Sequence, residues 1–269
     1  MPYLNVDDVK IYYKEYGEGD CIVFLNGVAM STSSWSPFKR EISKNHRMLL
    51  IDLMDQGRSQ GHIENYTIED QADILKKALD KLNIEKIHLV GMSYGGKVAL
   101  TFSLKYMDMI NSLSLVNTDS YTTKYNLETG KAWGLAAATL DGELFSSVLL
   151  PYMYSMNYFE NNAESMKEKK RFFTKIMNKN WCEALHRTLL SSKSYNVMDD
   201  IQNIRVPTLI ITSDEDITIP KKSQEILHKE IKGSKWVIVK GAGHAIMYEK
   251  PEEFMGELTK FINFISKIK

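Results

Sequence analysis

Cysteine is nearly absent from this chain: Cys21 and Cys182 are the only two in 269 residues. They stand far apart and lack metal-ligand spacing. Neither a disulfide framework nor a cysteine-held metal is expected, and a reducing compartment fits. An excess of charge is lacking too: Lys plus Arg equals Asp plus Glu, at 34 each, and the formal net charge is zero. A nucleic-acid binder would carry a basic excess, so this balance points to a small or uncharged substrate. No uninterrupted apolar run reaches membrane-spanning length. The first ten residues show no basic stretch followed by an apolar core, so no signal peptide is expected and the cytoplasm is the expected location. Repeats and low-complexity segments are missing. The length suits one large α/β domain, or one domain carrying an insertion.

What is present centres on Gly91-Met92-Ser93-Tyr94-Gly95-Gly96. An apolar run over residues 86–90 precedes it and a helix-forming run from Lys97 follows. Strand, sharp turn and helix with a serine at the apex is the pattern of a nucleophile elbow. Gly91 and Gly95 leave room where a Cβ would collide with the neighbouring strand or helix. The alternative is a glycine-rich turn whose serine is incidental, so the rest of the chain has to decide.

The chain alternates strand and helix around this point. Alternating residues from 2 to 16, divided at Asp7-Asp8, predict an antiparallel hairpin. Cys21–Leu25 reads as a strand buried on both faces, ending in the loop Asn26-Gly27-Val28-Ala29. A helix is predicted over residues 33–44, a buried strand over 47–53, and then the polar loop 52–59. Thr67 resembles a helix N-cap, with Ile68, Ala72, Leu75, Leu79 and Leu82 at helical spacing behind it. A further strand is predicted over 112–117.

From about Asp119 to Asp199 the buried-strand pattern stops. Aromatics and methionines are frequent, and several short helices forming an insertion are predicted. The basic run at 167–171 reads as a solvated helix face. Alternation then resumes with a strand over 207–212, a helix over 221–231, a strand over 235–240 and a last helix over 251–268.

A serine hydroxyl needs a base to take its proton and a third group to orient that base. Two later strand-end loops supply candidates. The loop after the strand ending at Thr212 holds Asp214, Glu215 and Asp216. Asp216, four residues before Pro220, is preferred as the orienting acid, with Asp214 as the alternative. The loop after the last strand ends in Gly243-His244. Of the six histidines, His46, His62, His88, His186 and His228 read as surface or packing residues. His244 alone follows a strand in a glycine-rich loop. Donors for a developing oxyanion are expected from the backbone N–H of Tyr94 and from that of Val28, or alternatively Ala29. No cofactor and no metal is expected, and no protein partner is indicated.

Together these residues resemble the α/β-hydrolase fold superfamily. The resemblance rests on the elbow, the acid loop 214–220, Gly243-His244 followed by Glu249-x-Pro251-Glu252-x-Phe254, and the loop 52–59. It implies a mostly parallel central sheet flanked by helices. The core would comprise residues 1–118 and 200–269, with 119–199 as a helical cap over the active site. Asn26-Gly27 stands where the family usually has His-Gly, Asp55 replaces a usual glycine, and Met54 a frequent proline. The function implied is hydrolysis of a small, largely apolar ester, lactone or thioester through an acyl-enzyme, with Ser93, Asp216 and His244 as the triad. Carbon–carbon bond hydrolysis is the alternative, although Ala245 stands where those enzymes often place Trp. A slow-turnover signalling or receptor member of the fold is a third reading.

Overall fold

The computed structural model describes residues 2–61 and 65–268. Its frame is an eight-stranded sheet in the order β1-β2-β4-β3-β5-β6-β7-β8. β1 (Tyr3–Val6) and β2 (Val9–Tyr16) form an antiparallel hairpin that turns at Asp7, where φ is 50°. β2 then runs antiparallel to β4 (Arg47–Ile51). β3 (Cys21–Leu25), β5 (Ile87–Met92), β6 (Ile110–Val116), β7 (Thr208–Ser213) and β8 (Lys235–Val239) continue the sheet, and every pair from β4 onward is parallel.

The two-residue period of a strand sorts the core onto the two faces of this sheet. In β3, Val23 and Leu25 face one side, while Ile22 and Phe24 face the other. The first side is covered by α2 (Ile68–Lys81) and α3 (Tyr94–Lys105), whose Ala72, Leu75, Val98 and Phe102 are buried there. Thr67 caps α2 through a reciprocal bond with Asp70. The second side is covered by Trp35, Phe38 and the long C-terminal helix.

The helix predicted over 33–44 takes another form. Residues Thr32–Phe38 make a 3₁₀ helix, followed by the single turn α1 (Lys39–Ile42). Ser31 and Ser34 cap each other at its start, and Pro37 lies inside it. Short hydroxyl side chains compete for backbone partners and proline removes a donor, so the tighter i+3 pattern prevails here.

Between β6 and β7 lie α4 (Lys124–Ala138), α5 (Gly142–Met153), α6 (Met156–Asn161), α7 (Ala163–Ile176) and α8 (Lys179–Ser191). They share an apolar core of their own that includes Trp133, Phe145, Leu149, Phe173 and Leu185. The two ends of this segment are stitched together by an antiparallel bridge between Tyr121 and Asn196. After β7 come α9 (Lys221–Glu230), the turn α10 (Ile246–Glu249) and α11 (Pro251–Lys267). Among the described residues no helix is long and apolar enough to cross a membrane.

Candidate active site

Ser93 occupies the turn between β5 and α3 with φ 53° and ψ −115°, a conformation that costs energy for any residue with a side chain. Neighbouring contacts hold it there. The Ser93 N–H donates to the Val116 carbonyl at 2.9 Å, and the Thr118 hydroxyl donates to the Ser93 carbonyl at 2.7 Å. A Cβ at Gly91 would lie 2.5 Å from the Gly95 carbonyl oxygen, and one at Gly95 the same distance from the Leu25 carbonyl oxygen. Close approach of backbone therefore requires both glycines.

His244, on the loop after β8, places Nε2 2.9 Å from the Ser93 hydroxyl. Its Nδ1 lies 2.7 Å from Asp216 Oδ2. A carboxylate accepts only, so Nδ1 carries the proton and Nε2 presents its lone pair to the serine. The other Asp216 oxygen accepts the N–H groups of Thr218 at 2.9 Å and Ile219 at 2.8 Å. Both side chains are buried, at 4% and 5% exposure for His244 and Asp216. Asp214, the alternative acid, turns elsewhere. It accepts the Gly241 N–H at 2.7 Å and pairs with Lys240 at 3.3 Å, tying the acid loop to the histidine loop.

Among the described residues the backbone N–H groups of Val28, Ala29 and Tyr94 donate to no protein acceptor. Ala29 is held at φ 59°, and a Cβ on Gly27 would come within 3.4 Å of the Ser93 Cβ, so this loop lies against the serine. Its rigidity comes from Asn26. The Asn26 amide donates to the Ile51 carbonyl at 3.0 Å and to Asp52 at 3.1 Å, and its oxygen accepts from the Trp35 indole at 2.8 Å. Gln56 donates to the Gly27 carbonyl at 3.1 Å. Burial pushes the Asp52 carboxyl up. The N–H groups of Arg58 and Thr32 and the Asn26 amide pull it back.

Sequence reasoning missed several residues that hold this arrangement. Asn117, at the end of β6 with φ 44°, donates to the Ser213 hydroxyl and the His244 carbonyl, each at 2.9 Å, and accepts the Ser213 N–H. An asparagine closing a central strand beside both candidate loops was the available signal. Glu249 accepts the Gly243 N–H at 3.0 Å and the Ser155 hydroxyl at 2.5 Å, linking the histidine loop to the helical segment. Burial raises its carboxyl against the pull of those bonds.

Lys97 and Asp119 form a buried pair at 3.2 Å, one helical turn beyond Ser93. The Lys97 ammonium also donates to the Thr122 hydroxyl at 2.8 Å and sits 5.3 Å from the centre of the Tyr195 ring. Burial is the main cause that raises Asp119, opposed by the Lys97 charge. A lysine in a helix-forming run reads as solvent-facing, which hid it.

His46 pairs with Asn263, His88 with Ser112 and His228 with Ser234. His186 stands in a cavity wall, and His62 lies outside the described residues. Within the basic run, Lys167 and Arg171 are exposed and pair with Glu164. Lys169 instead turns inward over the rings of Tyr154 and Tyr248, at 5.2 and 4.6 Å, and burial lowers its ammonium. A single basic run thus serves both a solvated face and a cavity wall.

Two cavities meet at Ser93, and both are walled in part by Val28, Trp133 and Thr218. One, of about 520 Å³, extends past Lys97 between α4 and α8. The other, of about 380 Å³, is bordered by His244, by Tyr154 at the end of α5 and by aromatic residues of α7 and α10. Among the described residues no group of three or more His, Cys, Asp or Glu side chains is placed to hold a metal.

A profile of the alpha/beta hydrolase fold matches residues 20–251. MGS-M2, an alpha/beta hydrolase enzyme from a Medee basin deep-sea metagenome library, superposes with a TM-score of 0.94 at 33% identity over 97% of each chain. The enol-lactonase from Burkholderia xenovorans LB400 superposes at 0.88 and 22% identity over 97% of this chain and 100% of its own, a likeness of fold. The putative carbamate hydrolase RutD of Pantoea ananatis is 24% identical over 254 residues, 91% of this chain and 90% of the relative.

Proposed function

The chain belongs to the alpha/beta hydrolase fold family, and on that premise we propose that it cleaves small, largely apolar carboxylic esters, lactones or thioesters through an acyl-enzyme. One observation carries this reading: the unbroken hydrogen-bonded line from Ser93 Oγ through His244 to Asp216, beside N–H groups that find no protein acceptor among the described residues.

In the proposed reaction His244 Nε2 takes the Ser93 proton as Oγ attacks the carbonyl carbon. Charge moves onto the carbonyl oxygen, which accepts the N–H groups of Tyr94 and Val28. The bond to the leaving group then breaks, and His244 returns its proton to the departing oxygen or sulfur. Water enters next and gives a proton to His244 while its oxygen bonds to the acyl carbon. The Ser93–acyl bond breaks, Ser93 regains the proton and the acid departs. Asp216 holds His244 in the tautomer this needs and stabilises its charged form. Residues 119–199 are proposed to act as a cap, because helices of this segment wall both cavities at Ser93.

The relative's name, putative carbamate hydrolase, is in keeping with a hydrolase. The decisive variant is Ser93→Ala. We expect kcat on phenyl acetate to fall on the order of a millionfold, as in a comparable triad, with an unchanged circular dichroism spectrum. Undiminished turnover by folded Ser93→Ala protein would refute the assignment.

A further inference from the structure

We propose that the two cavities divide the substrate at its scissile bond, with the acyl group in the larger one beside α4 and α8 and the leaving group in the aromatic one beside His244. The proposal rests on the serine-hydrolase reading and adds to it a direction and a substrate class.

The direction follows from proton transfer. The leaving oxygen must take its proton from His244 Nε2 as the acyl bond breaks, so it must lie on the histidine side of the tetrahedral carbon. His244 borders the aromatic cavity and is not in the wall of the larger one. The acyl chain is then directed past Tyr94 and Lys97 into the larger space.

The walls define the class. The leaving-group side presents Tyr154, Phe172, Phe173 and Tyr248, with Met153 and Leu150 beside them. Lys169 lies over two of those rings, so its charge is already engaged. A bulky or aromatic alcohol fits. On the acyl side Leu127, Ala138, Leu189 and Ile219 are apolar. Lys97 contributes no free cation, being occupied by Asp119, Thr122 and the Tyr195 ring. An apolar acyl chain fits along these walls, with the exposed Lys131 and Lys193 also bordering the cavity.

Two glycines set its depth. Gly130 and Gly134 lie inside α4, four residues apart on one face, and both border the acyl cavity. Glycine is unfavourable in a helix interior, and close packing usually explains it. It does not explain it here. A Cβ on Gly130 would sit 3.6 Å from Leu189 and one on Gly134 3.8 Å from His186, both ordinary contacts. What the two glycines leave is room for substrate, and this makes them specificity-determining positions.

The test measures kcat/KM for two ratios, phenyl hexanoate over phenyl acetate and benzyl butanoate over methyl butanoate. In Gly134→Leu protein the acyl ratio should fall by about tenfold or more, the scale of a methylene in an apolar pocket. The alcohol ratio should stay within about twofold, because separate sites act independently. Phe172→Ala, at a side chain 49% exposed, should do the reverse and lower the alcohol ratio by about fivefold. If Gly134→Leu does not fold, Gly134→Ala carries the same test with a smaller shift. Crossed responses, or ratios that do not move in an active enzyme, overturn the division alone. Wild-type protein inert to both series overturns the hydrolase reading and this division with it.

Discussion

Asp216 uses its two oxygens for separate purposes. One accepts from His244, and the other accepts two backbone N–H groups of its own loop. Asp216→Asn keeps an acceptor for the loop but can present an N–H to His244 Nδ1. The imidazole would then carry its proton on Nε2, facing Ser93, where a base is required. We expect kcat to fall about ten-thousandfold, as for the same change in a comparable triad, with the melting temperature nearly unchanged. Steady-state kinetics on phenyl acetate beside a melting curve checks both parts. The cysteines give a second prediction at this scale. Burial raises the Cys21 thiol to about 12 and also raises Cys182, and both side chains are buried. Thiolate is the reactive form, so a buried thiol held protonated reacts slowly at pH 8. Native protein should resist iodoacetamide at both positions and take up two labels once unfolded, as read by intact mass.

Three contacts tie α8 to Asp55, Tyr66 and Tyr94. Arg187 forks onto Asp55 at 2.7 and 2.8 Å, the Tyr94 hydroxyl meets Ser191 at 2.7 Å, and the Tyr66 hydroxyl meets Thr188 at 3.2 Å. Asp55 is thus anchored where the resemblance leads one to expect glycine, and its φ of 63° is the left-handed value that glycine would adopt freely. Arg187→Ala should cost about 1.5–3 kcal/mol, the scale of hydrogen bonds to a charged group, because the Asp55 carboxylate is left buried. Urea unfolding measures that loss. Hydrogen exchange should quicken across residues 179–191, and unchanged exchange would mean that Tyr94 and Tyr66 suffice to hold the helix. Element by element, helical spacing identified α2 and α11 in the sequence because their apolar faces are continuous. It mistook the segment after β3, where serine hydroxyls and Pro37 override an otherwise helical pattern.

At the scale of the whole molecule, the proposed chemistry needs only the protein's own groups and water. Turnover should therefore survive dialysis against EDTA, and a melting curve should be the same with and without dithiothreitol, since both cysteines are free. A loss of activity reversed by added metal would contradict the acyl-enzyme reading.

The parallel sheet was legible before any coordinates, because strands buried on both faces appear as short continuous apolar runs separated by helical periods. That Ser93, Asp216 and His244 could be proposed as one set has a related reason. Each follows such a run, and strand ends in a parallel sheet gather along one edge. Other features arise between segments distant in the chain, and no local pattern records them. Asp216 reaches His244 while Asp214 reaches Gly241, a choice made by how two loops pack. Asn117, Glu249 and the Lys97–Asp119 pair act on partners contributed by other strands and helices. The two cavities at Ser93 depend on how α4, α5, α7 and α8 lie over the sheet. Residue type and spacing are properties of the chain, whereas enclosed volume and buried polar partnership exist only after the chain has packed.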